Sequence, residues 1–174
     1  MRAVSDRERE PPFDQRRRWS WTVLAAALLA AAPAVAEEPF QRLVTGPTVQ
    51  GWLERQGYGT ALDTDPFGDP MIESRTERAF FRIYFFGCET TSEPRRCRSL
   101  SFAAGFDTGG RGTLASVNQW NATQRFGQAY LDDDGDPWLE LAINAEGGMP
   151  EAQFQHWLIL WHQSLDRFVT LIDR

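Results

Sequence analysis

Lysine is absent from this chain, and cysteine and histidine are scarce, with two of each among 174 residues. No serine sits in a G-x-S-x-G elbow, and neither a P-loop nor a G-x-G-x-x-G stretch occurs. Gly109-Gly110-Arg111-Gly112 is too short for either and opens no phosphate-binding helix. His156 and His162 share one helical stretch at a separation that rotates them by about 240°, so they point to different faces and make a poor metal or acid–base pair. With both cysteines expected in a disulfide, no activated nucleophile can be read. The expectation is a protein without catalysis, cofactor or metal. Basic charge is short as well. Setting aside the first 36 residues leaves 12 arginines against 20 acids, a formal charge of −8, which disfavours nucleic acid as a partner.

Long apolar runs are confined to the N-terminus. Arg16, Arg17 and Arg18 precede an Ala/Leu-rich stretch over residues 21–32, which ends in Pro33-Ala34-Val35-Ala36 and gives way to Glu37-Glu38. A positive end, a short apolar stretch and small residues before a cleavage point make a secretory signal. About 12 to 15 apolar residues are too few to stay comfortably in a bilayer core roughly 30 Å thick. Cleavage between Ala36 and Glu37 is therefore expected, giving a periplasmic or secreted protein without a stable membrane anchor after processing; a retained anchor is the competing reading. Residues 16–19 partly resemble a twin-arginine signal, but the apolar and basic residues that should follow are missing, so Sec export is preferred. The leader is unusually long, which leaves a misplaced start codon open. The organisation read is signal peptide 1–36, entry segment 37–46 and one domain over 47–174. With 7 Trp, 12 Phe and 3 Tyr the domain can fill a core, against disorder or a coiled coil.

Cys88 and Cys97 flank a polar, proline-containing segment between two strand-like runs, and an oxidising compartment would let them pair across the neck of a hairpin loop. A two-ligand metal fragment and a redox pair are the alternatives. C-x8-C with no nearby His is weak for zinc and is not the CxxC of thiol oxidoreductases.

Residues 47–57 read as a short helix with Pro47 near its start, Gly57 near its end and Val49, Trp52 and Leu53 on one face. Residues 60–64 and 71–74 are weaker strand candidates around a turn. Residues 79–87, with five aromatics and Ile83, suit a central strand covered on both faces. Residues 98–106 alternate cleanly. Thr113 can cap a helix carrying Leu114, Val117, Trp120 and Phe126. Residues 129–132 and 138–144 form a second hairpin about an Asp-Gly two-residue turn, and residues 150–172 a long helix with an apolar stripe from Phe154 to Ile172. No internal repeat is read. The order α-β-β-β-α-β-β-α predicts an α+β fold, an antiparallel five-stranded sheet with flanking helices.

Certain stretches carry a family resemblance. They are Gly57-Tyr58 with Asp65 and Gly68-Asp69-Pro70, Cys97-Arg98-Ser99-Leu100-Ser101-Phe102, Asn118-Gln119-Trp120-Asn121 and Arg125-Phe126. Residues 129–137, Gly147-Gly148 and the Trp-rich last helix complete them. Over residues 45–172 the chain resembles the YbjN family of bacterial proteins, labelled sensory transduction regulators. The resemblance implies a fold similar to type III secretion chaperones, no accepted enzymatic activity, binding of a protein or peptide, and a homodimer among the expected assemblies. An export leader departs from the cytoplasmic setting of those chaperones.

Asn118, Trp120, Asn121 and Arg125, together with Asp132, Asp134 and Asp136, make the candidate binding face, because Asn118/Asn121 and Asn121/Arg125 share helix faces. The plainer reading has this polar face bonding the neighbouring hairpin, with Arg125 pairing an acid there. The acidic turn also invites a calcium reading, but Gly135 falls fourth from Asp132 and Ile143 stands where an EF-hand needs Glu. The protein or peptide is expected on the sheet face or in helix grooves; a small-ligand sensor or enzyme using Asn121, Arg125 and the acidic hairpin is the alternative.

Overall fold

Residues 43–173 are described in a computed structural model of the chain; the leader and the cleavage point between Ala36 and Glu37 lie outside them. In chain order the elements are β1 (Val44–Thr45), α1 (Gly46–Arg55), β2 (Thr60–Thr64), β3 (Pro70–Arg75), β4 (Phe80–Phe86), β5 (Arg96–Cys97), β6 (Ser99–Gly105), α2 (Leu114–Thr123), β7 (Gln128–Leu131), β8 (Pro137–Asn144) and α3 (Glu151–Ile172). Six strands form one antiparallel sheet in the order β2-β3-β4-β6-β8-β7, while β1 and β5 make a separate two-stranded ladder. The fold class is α+β as expected, but five strands is corrected to six. Both weaker candidates are strands, and the turn between them closes a hairpin through Asp65 N–H to the Asp69 carbonyl (2.8 Å). β1 and β5, two residues each, are too short to carry a period.

The core is one cluster. Ile72, Phe81, Ile83, Phe85, Leu100, Phe102, Leu139, Leu141 and Ile143 alternate onto one sheet face. Against it lie Val49, Trp52 and Leu53 of α1, Val117 and Trp120 of α2, and Phe154, Leu158, Trp161, Leu165 and Phe168 of α3. The α3 stripe thus buries as its period predicts. β4 departs from expectation. Phe81, Ile83 and Phe85 are buried, yet Phe80 is 71% exposed and Phe86 47% exposed. All three helices pack on the other face, so among the described residues nothing covers this one. α2 is also shorter than read. It ends at Thr123, so Phe126 lies beyond it, edge-on to Trp157, and Leu114 is exposed at its first turn.

The second hairpin has a three-residue loop rather than a two-residue one. Asp132 N–H reaches the Asp136 carbonyl (3.0 Å), Gly135 N–H reaches the Asp132 carbonyl (3.1 Å), and Gly135 alone takes the positive φ, 81°. The β2–β3 turn is the same object. Asp65 Oδ1 accepts from Phe67 N and Asp69 N, as Asp132 Oδ1 accepts from Asp134 N and Asp136 N.

That likeness extends backward and overturns the reading that no repeat is present. Thr45 caps α1 through Thr48 N, and Thr113 caps α2 through Ser116 N. One turn on, Val49 matches Val117 and Trp52 matches Trp120, all buried. The chain therefore holds two helix–strand–strand units, α1-β2-β3 and α2-β7-β8. The strand order and antiparallel pairing are those that a two-fold axis normal to the sheet between β4 and β6, exchanging the units, would produce. The sequence hides this because the helix match and the D-x-x-G-D-P match are out of step by one residue.

Cys88 and Cys97 are joined in a disulfide. It closes the loop between β4 and β6, and Cys97 is the β5 residue that pairs Val44.

Candidate functional site

The open sheet face is built by the alternation that fills the core. On β6 the residues pointing away from the helices are Ser101, Ala103 and Gly105, all small. The neighbouring strands carry large ones, Phe80, Arg82 and Tyr84 on β4 and Trp138 and Glu140 on β8. A small floor between tall walls makes a furrow. At the Gly105 end it widens to a concavity of 890 Å³ lined by Ala61, Arg75, Phe80, Ala103, Gly105 and Trp138, among others. Gly105 is required there, since a Cβ would come within 2.5 Å of the Trp138 indole.

The walls are fixed by polar contacts. Arg82 Nε bonds Glu73 Oε1 at 2.8 Å, and Arg75 lies over the Phe80 ring at 4.8 Å. On the far wall Trp138 stacks on Tyr130 with an interplanar angle of 9°. Its Nε1 donates to Asp132 Oδ2 at 2.9 Å. Ser101 Oγ, buried beneath the face, donates to Glu140 Oε1 at 2.7 Å. Burial raises the Tyr130 phenol pKa, with the Glu140 carboxylate adding to it, so this hydroxyl stays protonated at physiological pH.

The residues singled out from the sequence do not assemble into one face. Trp120 is 2% exposed, its Nε1 spent on the Gly127 carbonyl (3.0 Å). Asn121 spends its carboxamide on β7, donating to the Ala129 carbonyl and accepting from Ala129 N–H, both 2.9 Å. Asn118, Arg125 and Asp134 are exposed, and Arg125 sits over Phe126 rather than against an acid; among the described residues it forms no ion pair. Only Asp132 and Asp136 border the concavity, and they act as turn ties. Asp136 Oδ1 takes the hydroxyl (2.7 Å) and N–H (2.8 Å) of Thr108 and Gly110 N–H (3.1 Å). Among the described residues no three His, Cys, Asp or Glu come together as metal ligands. His156 is exposed, whereas His162 Nδ1 lies 3.1 Å from the Tyr58 hydroxyl. Sequence reasoning missed the furrow. Its only trace is the small residues at alternate positions of β6 beside an over-apolar β4.

Two predictions arise here. Hydrogen bonds hold both turn aspartates below the usual carboxylate range. For Asp132 the Trp138 indole contributes most, followed by backbone N–H of Asp136 and Asp134; for Asp136 it is the Thr108 hydroxyl, then the Thr108 and Gly110 amides. A depressed folded-state pKa gives stability that is complete above roughly pH 4 and drains away as pH falls through the folded values. Urea midpoints between pH 5 and 2 should decline, and Asp136→Asn should flatten that decline. Asn121→Ala should cost about 1–2 kcal/mol, because two bonds to Ala129 are lost, as read by urea denaturation.

A main sheet of six antiparallel strands, with helices on one side and a furrowed second side that the described residues leave bare, defines an α+β class. The chain belongs to the YbjN family: the family model, described as "Putative bacterial sensory transduction regulator", matches residues 47–174. The crystal structure of YbjN, a putative transcription regulator from E. coli, is similar at 16% identity and a TM-score of 0.48, covering 73% of this chain and 91% of that one. Among curated proteins no match is found. No helix of the described residues is long and apolar enough to cross a membrane.

Proposed function

We propose that this chain is an exported, non-enzymatic regulatory module that holds a segment of a protein partner against the open face of its sheet. The supporting observation is the furrow itself, a concavity of 890 Å³ rimmed by Phe80 and Trp138 on a face that the three described helices leave bare. An aromatic as exposed as Phe80 adds little to the fold and suits contact with another surface. The likeness to type III secretion chaperones that the family resemblance implies, with their binding of extended polypeptide, belongs to the same reading. A small-ligand or enzymatic role for Asn121 and Arg125 is disfavoured, since Asn121 is committed to Ala129 and Arg125 lies outside the concavity. Export is supported by the leader pattern and by the Cys88–Cys97 bond.

The test is a photo-crosslinking residue at position 86 in the native host. Protein adducts that disappear with Phe80→Glu are expected. A metabolite screen that stabilises the fold while no protein adduct forms would reverse the assignment. Intact mass of the native protein should show Glu37 as first residue and both sulfurs oxidised.

A further inference from the structure

The two helix–strand–strand units differ at the sheet's two edges. In each hairpin the turn aspartate pair is hydrogen-bonded, so alternation turns every second residue of the outer strand toward solvent. On β7 these residues are Ala129 and Leu131, and α2 closes the first. Asn121 takes both its N–H and its C=O, and Trp120 takes the carbonyl of Gly127 just before the strand. On β2 the equivalent residue is Leu62, and the position matching Asn121 is Leu53, which is apolar and buried in the core. Among the described residues α1 makes no hydrogen bond to the backbone of β2. Among the described residues the outward N–H and C=O of Leu62 therefore stay open, on a strand, Thr-Ala-Leu-Asp-Thr, that carries no Pro, Lys or bulge to guard it.

We infer that the outer edge of β2 takes an added strand from the partner, an extended segment bearing Lys or Arg. This rests on the protein-binding reading above and says where and how the segment is held. Main-chain bonds would come from Leu62 and its outward neighbours, with the segment continuing the sheet beside Ala61 at the mouth of the furrow. The charge preference follows from Glu54, whose carboxylate accepts from Thr60 Oγ1 at 2.9 Å, and from exposed Asp63, neither of them ion-paired among the described residues. A second copy of the chain would bring the same acids against each other, so self-pairing is disfavoured.

The experiment selects a displayed library of random 12-residue peptides on the mature protein, then maps amide exchange with a selected peptide bound. Basic, β-branched sequences should emerge and slow exchange at Leu62. Leu62→Pro, which removes an N–H that β3 does not use, should weaken binding about tenfold or more. Asp63→Lys should do the same without touching the ladder, and it serves if the proline variant misfolds. Peptides that bind both variants unchanged, with Leu62 exchange unaltered, overturn the edge while leaving protein binding intact. If no sequence is selected, both readings fall. A dimer that Leu62→Pro dissolves would make the occupant a second copy and overturn the inference.

Discussion

Phe102→Ala should lower the unfolding free energy by about 3–5 kcal/mol, a large part of the roughly 5–15 kcal/mol typical of a domain. Phe102 is fully buried on β6 between Ile83 and Leu141. Its ring stacks on Trp161 at 5.5 Å and on Phe154 at 5.9 Å, and lies 6.1 Å from Phe81. One side chain thus joins α3 to β4 and to its own strand. Truncation leaves a cavity walled by rings on α3 and β4, both held by other contacts, so collapse around it is limited. The measurement is the urea midpoint of the mature protein. Phe80→Ala is the control: on the same sheet but exposed, it should stay within about 0.5 kcal/mol. A comparable loss at Phe80 would mean that this ring supports the fold and is not kept for a partner.

Cys88→Ala with Cys97→Ala should cost roughly 2.5–3 kcal/mol, the entropy returned to the unfolded chain when a loop of about ten residues is opened. Reducing the unmodified protein with dithiothreitol should reproduce most of that loss. The bond also anchors neighbours. Arg95 reaches Asp69 at 2.7 Å, tying the loop to the β2–β3 turn, and Arg96 reaches Glu89 at 2.5 Å. Opening the loop should therefore loosen the hairpin that carries the β2 edge, seen as faster amide exchange there than at β7. Equal stability with and without reductant would remove the disulfide as a stabilising element and weaken the case for an oxidising compartment.

Much of the architecture was legible locally. Thr113 ahead of Val117 and Trp120 marked a helix start, the stripe from Phe154 to Phe168 marked α3, and alternation at Leu100, Phe102 and Ala104 marked β6. Each needs only its neighbours in sequence. β4 misled because an apolar run reports how many side chains could be buried, and only packing decides which are. Phe80 and Phe86 look like core in the sequence and stand on an uncovered face in the fold. Asn121 misled in the opposite direction. A polar helix residue suggested a ligand, and its ligand is the backbone of Ala129.

By itself the sequence determined the helix starts, the core stripe, the pairing of the only two cysteines, the acid excess and the leader pattern, because capping, periodicity and composition act over a few residues. Tertiary structure alone decided which sheet face stays bare, how the two helix–strand–strand units are arranged in the sheet, and that α2 bonds the backbone of its edge strand while α1 does not. Those depend on where all three helices settle and on what a residue in one element meets in another, which no local pattern encodes.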